Sequence, residues 1–150
     1  MANRMEPHKD TITVPGDLAG VEQVRLFVKG VIDRLFLAEE LAYHLELAVI
    51  EACLNIIHYA YADRQGEIRL AAWPEAGRIY LEIKDTGRPF DPRQVEPPDL
   101  DRYMREGVKG GFGVFLMRRL MDGLDYRREE GQNVLTLWKT LPPSGASQTL

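Results

Sequence analysis

Apolar residues recur along this chain with two different periods, and the points where the period changes mark its elements. Thr11, Ile12, Thr13 and Val14 alternate and stop at Pro15-Gly16, which predicts a short strand and a turn. Asp17 stands where it can cap a helix in which Leu18, Val21, Val24, Val28, Val31 and Leu35 recur at three- and four-residue steps. A second helix is predicted from about Ala38 to Tyr61, with Leu41, Leu45, Ala48, Ala52 and Ile56 as its apolar stripe. It contains no glycine or proline, so it is expected to run unbroken. After Asp63 the period falls to two. Glu67–Trp73 and Arg78–Lys84 read as strands joined by a hairpin turn at Pro74-Glu75-Ala76-Gly77. Residues 86–110 carry four prolines and three glycines with little apolar periodicity, and so long a loop needs either a functional reason or disorder. Phe112–Met121 reads as a third helix, followed by strands at about Leu124–Glu129 and Val134–Thr140 joined at Gly131.

The order β-α-α-β-β-loop-α-β-β predicts an α/β two-layer sandwich, a mostly antiparallel sheet with helices on one face. A doubly wound parallel sheet would need strands and helices to alternate throughout. No internal repeat is visible, and residues 1–141 are expected to form one domain, with 142–150 a flexible tail. Hydrophobic content of 45% and charged content of 28% are those of a globular chain. The net charge of -4 supplies no basic stripe, which argues against direct nucleic-acid binding. No run of eighteen apolar residues occurs and the start of the chain is polar, so no membrane span or signal peptide is expected. The one cysteine, Cys53, excludes an internal disulfide and suits a reducing cytoplasm; within an apolar helical run it reads as a core residue.

Three polar clusters carry the candidate chemistry. Glu51 and Asn55 are four apart and share a helix face in the middle of an otherwise apolar run, so they must find partners or face a cleft. A carboxylate beside an amide can combine a general base with an oxygen ligand for Mg²⁺, although the pair alone reads more readily as a solvated helix face. Asp85, Thr86 and Gly87 follow a strand directly. An ionised Asp85 could accept a hydrogen bond from the exocyclic amine of adenine, and Gly87 would let the backbone pass close to a flat ring; the tripeptide alone is also an ordinary turn. Gly110-Gly111-Phe112-Gly113 opens a helix, where exposed N–H groups and the helix dipole suit phosphate oxygens. The glycines match neither the Walker loop nor the dinucleotide fingerprint.

Taken in order, E-x-x-x-N on a helix, D-x-G at a strand end, a long loop and G-G-x-G opening a helix resemble the GHKL ATPase superfamily, which has the Bergerat ATP-binding fold. The resemblance covers about residues 10–140. Glu46-Leu47-Ala48-Val49-Ile50-Glu51-Ala52, Pro89-Phe90-Asp91-Pro92 and Gly113-Val114-Phe115-Leu116-Met117 are similar to the small bacterial anti-sigma factor serine/threonine kinases within it. The resemblance implies that Glu51 is the general base and that Asn55 holds Mg²⁺ against the phosphates of ATP. It implies that Asp85 binds the adenine amine, supported by Gly87 and, through a water, by Thr136. Residues 93–109 would be the ATP lid, Lys109 a phosphate contact, and Gly110, Gly111 and Gly113 the phosphate cradle.

One departure stands out. The family places histidine four residues after the asparagine, where this chain has Tyr59, with His58 before it. Tyr59 is expected to pack and His58 to lie at the surface. With no histidine-bearing helix pair ahead of the ATPase region, a complete sensor histidine kinase is not expected. The implied function is a cytoplasmic, homodimeric kinase that phosphorylates a STAS-type antagonist protein and, in its other state, sequesters a sigma factor. The alternative is a nucleotide-gated binding switch without phosphoryl transfer, and Glu51 argues against it because a pure binder needs no base.

Overall fold

The computed structural model describes residues 8–96, 99, 101, 104–105 and 112–143. Its elements are β1 (Asp10–Pro15), α1 (Leu18–Arg34), α2 (Glu39–Asn55), a π-helical turn (Ile56–Tyr61), β2 (Glu67–Glu75), β3 (Arg78–Asp85), a single 3₁₀ turn (Pro92–Gln94), α3 (Phe112–Leu120), β4 (Gly123–Glu129) and β5 (Gln132–Thr140). The five strands form one antiparallel sheet in the order β1-β2-β3-β5-β4, with α1, α2 and α3 on one face. The α/β two-layer sandwich read from the sequence is the architecture observed.

Local chemistry accounts for most boundaries. Asp17 caps α1, its Oδ1 accepting from the Gly20 amide at 2.9 Å. α1 buries Val24, Val28 and Val31 as its spacing predicts, but Leu18, expected in the same stripe, is 70% exposed. Leu18 is the first residue of the helix, before the stripe has turned onto the sheet. Both hairpins turn through two residues of positive φ, Ala76-Gly77 (52° and 76°) and Glu130-Gly131 (51° and 76°), the I′ geometry that matches strand twist.

Leu41, Leu45, Ala48, Val49, Ala52 and Cys53 of α2 fill the space between the sheet and the other helices. Continuous helix from Glu39 to Tyr61 is long and apolar enough, at mean hydropathy 1.3, to cross a membrane; here its apolar stripe is taken up by the core. Burial pushes the Cys53 thiol up to about 12, so it stays protonated, as expected of a core cysteine. The sequence predicts unbroken helix to Tyr61, but the last six residues are wound as π-helix, and the Ala62 amide bonds back to the Ile57 carbonyl at 3.0 Å. Helix propensity does not distinguish this winding from an α-turn, because the two differ in which carbonyl each amide reaches and share the helical backbone region.

The β3–β5 pairing has the largest consequence for function. β5 lies between β3 and β4, and its register sets Asn133 opposite Asp85 and Thr136 opposite Glu82. Alternation then places Asp85, Asn133, Leu135 and Leu137 on the helix-covered face, and Glu82 and Thr136 on the bare one. The expected lid falls largely outside the described residues; its described root, Pro92–Gln94, is the 3₁₀ turn capped by Asp91.

Candidate active site

A narrow cleft, open to solvent, lies between α2, α3 and the helix-covered end of the sheet. Asp85 and Asn133 stand at one end and Asn55 at the other, with Ile56, Met117 and Leu135 among the apolar residues between. An apolar slot with a few polar groups at its ends suits a flat heterocycle carrying a charged tail.

Asp85 ends β3 and is 4% exposed. Its Oδ1 accepts from the Gly87 amide at 2.9 Å and from Asn133 Nδ2 at 2.8 Å. Burial raises its pKa, while these two bonds and the nearby Arg128 charge pull it back down. Oδ2 takes no hydrogen bond from a described residue. The loop after Asp85 is fastened on two sides. From the π-turn, the Tyr61 hydroxyl accepts from the Thr86 amide at 3.0 Å and the Ala60 carbonyl accepts from the Arg88 amide at 2.8 Å. From the β4–β5 hairpin, Arg128 donates to the Gly87 carbonyl at 2.7 Å and Asn133 Nδ2 to the Arg88 carbonyl at 2.7 Å.

Gly87 is required by a close approach that the sequence reading did not anticipate. A Cβ there would lie 2.5 Å from the Ala60 carbonyl oxygen and 2.6 Å from its carbon, so the close approach is to the π-turn backbone. Thr136 does not reach the site. It faces the bare side of the sheet, and Asn133, three residues earlier on the same strand, holds Asp85 directly. Asn133 was legible in one respect: it is a polar residue in phase with the inward-facing Leu135 and Leu137. The sequence reading also missed Ala60, Tyr61, Tyr126 and Arg128, whose roles depend on contacts between distant segments.

At the other end, Glu51 and Asn55 occupy successive turns of α2, both half-buried. α3 begins beside them, and a Cβ on Gly113 would lie 2.4 Å from Glu51 Oε2 and 3.8 Å from Asn55 Oδ1. With the Glu51 carboxylate where it stands, there is no room for a Cβ on the opening turn of α3. Burial raises the pKa of Glu51, and Asn55 Nδ2 is buried without a hydrogen-bond partner among the described residues. Lys109, Gly110 and Gly111, expected at the phosphates, lie outside the described residues. Tyr59 stacks on Phe90, centroids 5.0 Å apart at 14°, and His58 is exposed, as expected for both.

Comparison with known proteins agrees with this geometry. The family described as histidine kinase-like ATPase domain matches residues 14–139. The serine-protein kinase RsbW of Bacillus thuringiensis (strain Al Hakam) is 30% identical over 139 residues, covering 90% of this chain and 86% of that protein. RsbW of Bacillus anthracis gives the same identity and coverage. Among solved structures, the RsbU and RsbW domains of Rv1364c from Mycobacterium tuberculosis superpose with a TM-score of 0.62 at 17% identity. That match covers 89% of this chain and 32% of the mycobacterial one, and it supports the fold. The chain therefore belongs to the histidine kinase-like ATPase domain family, among the serine-protein kinases of the RsbW type.

Proposed function

We propose that this chain transfers the γ-phosphoryl group of ATP to a serine or threonine of a STAS-type antagonist, and that in its other state it binds and silences a sigma factor. The reading places it in the cytoplasm as a homodimer. The observation that carries the catalytic part is that Glu51 and Gly113 converge beside Asn55, which lines the same cleft as buried Asp85.

In this reading the adenine amine donates to Asp85 Oδ2 while the ring lies along Ile56, Met117 and Leu135. The phosphates then run toward the opening of α3, where backbone amides and the helix dipole favour anions. Glu51 accepts the proton of the attacking hydroxyl as its oxygen bonds to the γ-phosphorus and the bond to the β–γ bridging oxygen breaks, leaving ADP. A carboxylate raised by burial holds that proton better than an ordinary glutamate. Asn55 is the side chain that would hold Mg²⁺. Its amide oxygen is the hard donor this ion prefers, and among the described residues no cluster of three His, Cys, Asp or Glu competes for a metal. When bound, Mg²⁺ would neutralise charge on the phosphates.

Glu51→Gln tests the assignment. It keeps size and hydrogen bonding but loses the proton acceptor, so ATP affinity should hold while single-turnover phosphorylation of a STAS-type antagonist falls by about 10²–10⁴-fold. Transfer at the wild-type rate would remove Glu51 from the chemistry. A wild-type protein that binds ATP yet phosphorylates no antagonist would favour the nucleotide-gated switch.

A further inference from the structure

Asn133 is 3% exposed and every hydrogen-bonding position of its amide is used. Nδ2 donates to Asp85 Oδ1 at 2.8 Å and to the Arg88 carbonyl at 2.7 Å. Oδ1 accepts from the Tyr126 hydroxyl at 2.5 Å and from the Phe90 amide at 3.2 Å. An amide has two donor hydrogens and two acceptor lone pairs, so Asn133 has nothing left to offer a ligand. Its orientation is also determined. Reversed, it would set Oδ1 against two acceptors and Nδ2 against the Phe90 N–H. Asn133, which lines the cleft with Tyr126, therefore acts on it through Asp85 and through the Arg88–Phe90 loop that it fastens.

We propose that the Tyr126–Asn133 pair sets the base selectivity of the site: by presenting Nδ2 to Asp85, it keeps the carboxylate an acceptor toward the cleft, which selects a 6-aminopurine over a 6-oxopurine. The proposal rests on the reading of Asp85 as the base-recognising group. A 6-amino group donates, so it matches the free Oδ2 of an ionised Asp85. A 6-oxo group accepts and would face a second acceptor in a dry site, the mismatch that discriminates most strongly. Selection accordingly depends on Asp85 staying ionised although it is buried, and hydrogen bonds to the charged form are what oppose protonation.

The surroundings show how much falls to the pair. Among the described residues, Arg128 of β4 is the cation whose charge acts on Asp85. Tyr126 comes from the same strand, Tyr61 of the π-turn bonds the Thr86 amide, and Asn55 across the cleft is neutral. Asp91, beyond Phe90, acts on Tyr126. Asn133→Asp would place a second carboxylate against Asp85. Both hydrogen bonds donated by Nδ2 would be lost and the like charge would raise the pKa of the coupled pair, so that a proton shared between residue 133 and Asp85 Oδ1 leaves Oδ2 a weaker acceptor for an amine.

The test compares binding of ATP and inosine triphosphate to wild type, Asn133→Asp, Tyr126→Phe and Asp85→Ala between pH 5 and 8, with circular dichroism checking the fold. The ligands' own phosphate titration is common to all four proteins and cancels in the comparison. Asn133→Asp should reduce the ATP preference at least about tenfold and move the acid-side loss of ATP affinity to higher pH. Tyr126→Phe keeps the ring and loses only the hydroxyl, so a change of about threefold in the same direction is expected; it carries the test if Asn133→Asp does not fold. Asp85→Ala should abolish both the preference and its pH dependence. If Asp85→Ala loses ATP affinity while both pair variants keep the wild-type ratio and pH profile, the proposal is wrong and the Asp85 reading stands. If Asp85→Ala binds ATP normally, the base is held elsewhere and both fall.

Discussion

At the Asp85 end of the cleft the polar groups other than Asp85 Oδ2 already have partners, whereas at the Glu51 end a buried amide hydrogen has none among the described residues. Asn133 uses all four of its hydrogen-bonding positions, and the amides of Thr86, Gly87, Arg88 and Phe90 are each bonded to a neighbouring element or to Asp85. Asn55 Nδ2, by contrast, is buried and has no partner among the described residues, and burial raises the pKa of the neighbouring Glu51 carboxylate. An unsatisfied buried donor costs about 1–3 kcal/mol, and such a cost persists mainly where a ligand completes the site. In the proposed reading the base end is thus built, apart from the open Asp85 Oδ2, before nucleotide arrives, and the phosphate end is completed by it. The packing of the two glycines follows the same division: Gly87 meets the backbone of Ala60, while Gly113 meets the tip of a side chain.

That contrast breaks or sharpens on substitution. The largest stability effect should come from Gly87→Ala, because the atoms in the way belong to the π-turn backbone and cannot step aside. A loss of about 3 kcal/mol in urea denaturation is expected, and a loss near zero would mean the loop is not clamped. Asp85→Ala should come next, weakening ATP binding at least about tenfold, or about 1.4 kcal/mol, in a protein that remains folded. Calorimetric titration with unchanged affinity would move base recognition away from this end. Gly113→Ala should cost the least stability, below about 1 kcal/mol, because Glu51 can rotate out of the way. The displaced carboxylate should nonetheless slow phosphoryl transfer roughly tenfold, since misplacing a reacting group is expensive. Equal destabilisation by the two alanines would erase the distinction between the ends.

Much of this arrangement could be read before any coordinates. The switch from a helical to an alternating period located each strand and helix, Asp17 announced the start of α1, and Gly77 and Gly131 marked the two hairpins. Glu51 and Asn55 declared themselves as polar residues interrupting an apolar helix. The misreadings share one cause. Leu18 fits the periodicity of α1 but precedes its contact with the sheet, and Thr136 is the right kind of residue on the right strand facing the wrong side. Gly87 was noticed, yet its true neighbour, Ala60, is far away in sequence and comes close only through the π-turn.

By itself, then, the sequence determined the elements, their order and the chemical types available, because these follow from local period, capping and turn geometry, which act over a few residues. Tertiary structure alone decided which side chains meet. The position of β5 between β3 and β4 brings Asn133 to Asp85, and a register slip of one residue would have turned Asn133 away to the bare face. The π-turn likewise brings Ala60 and Tyr61 against the loop after Asp85. Strand order, register and helix winding are settled by packing across the whole core, and no window of sequence contains that competition.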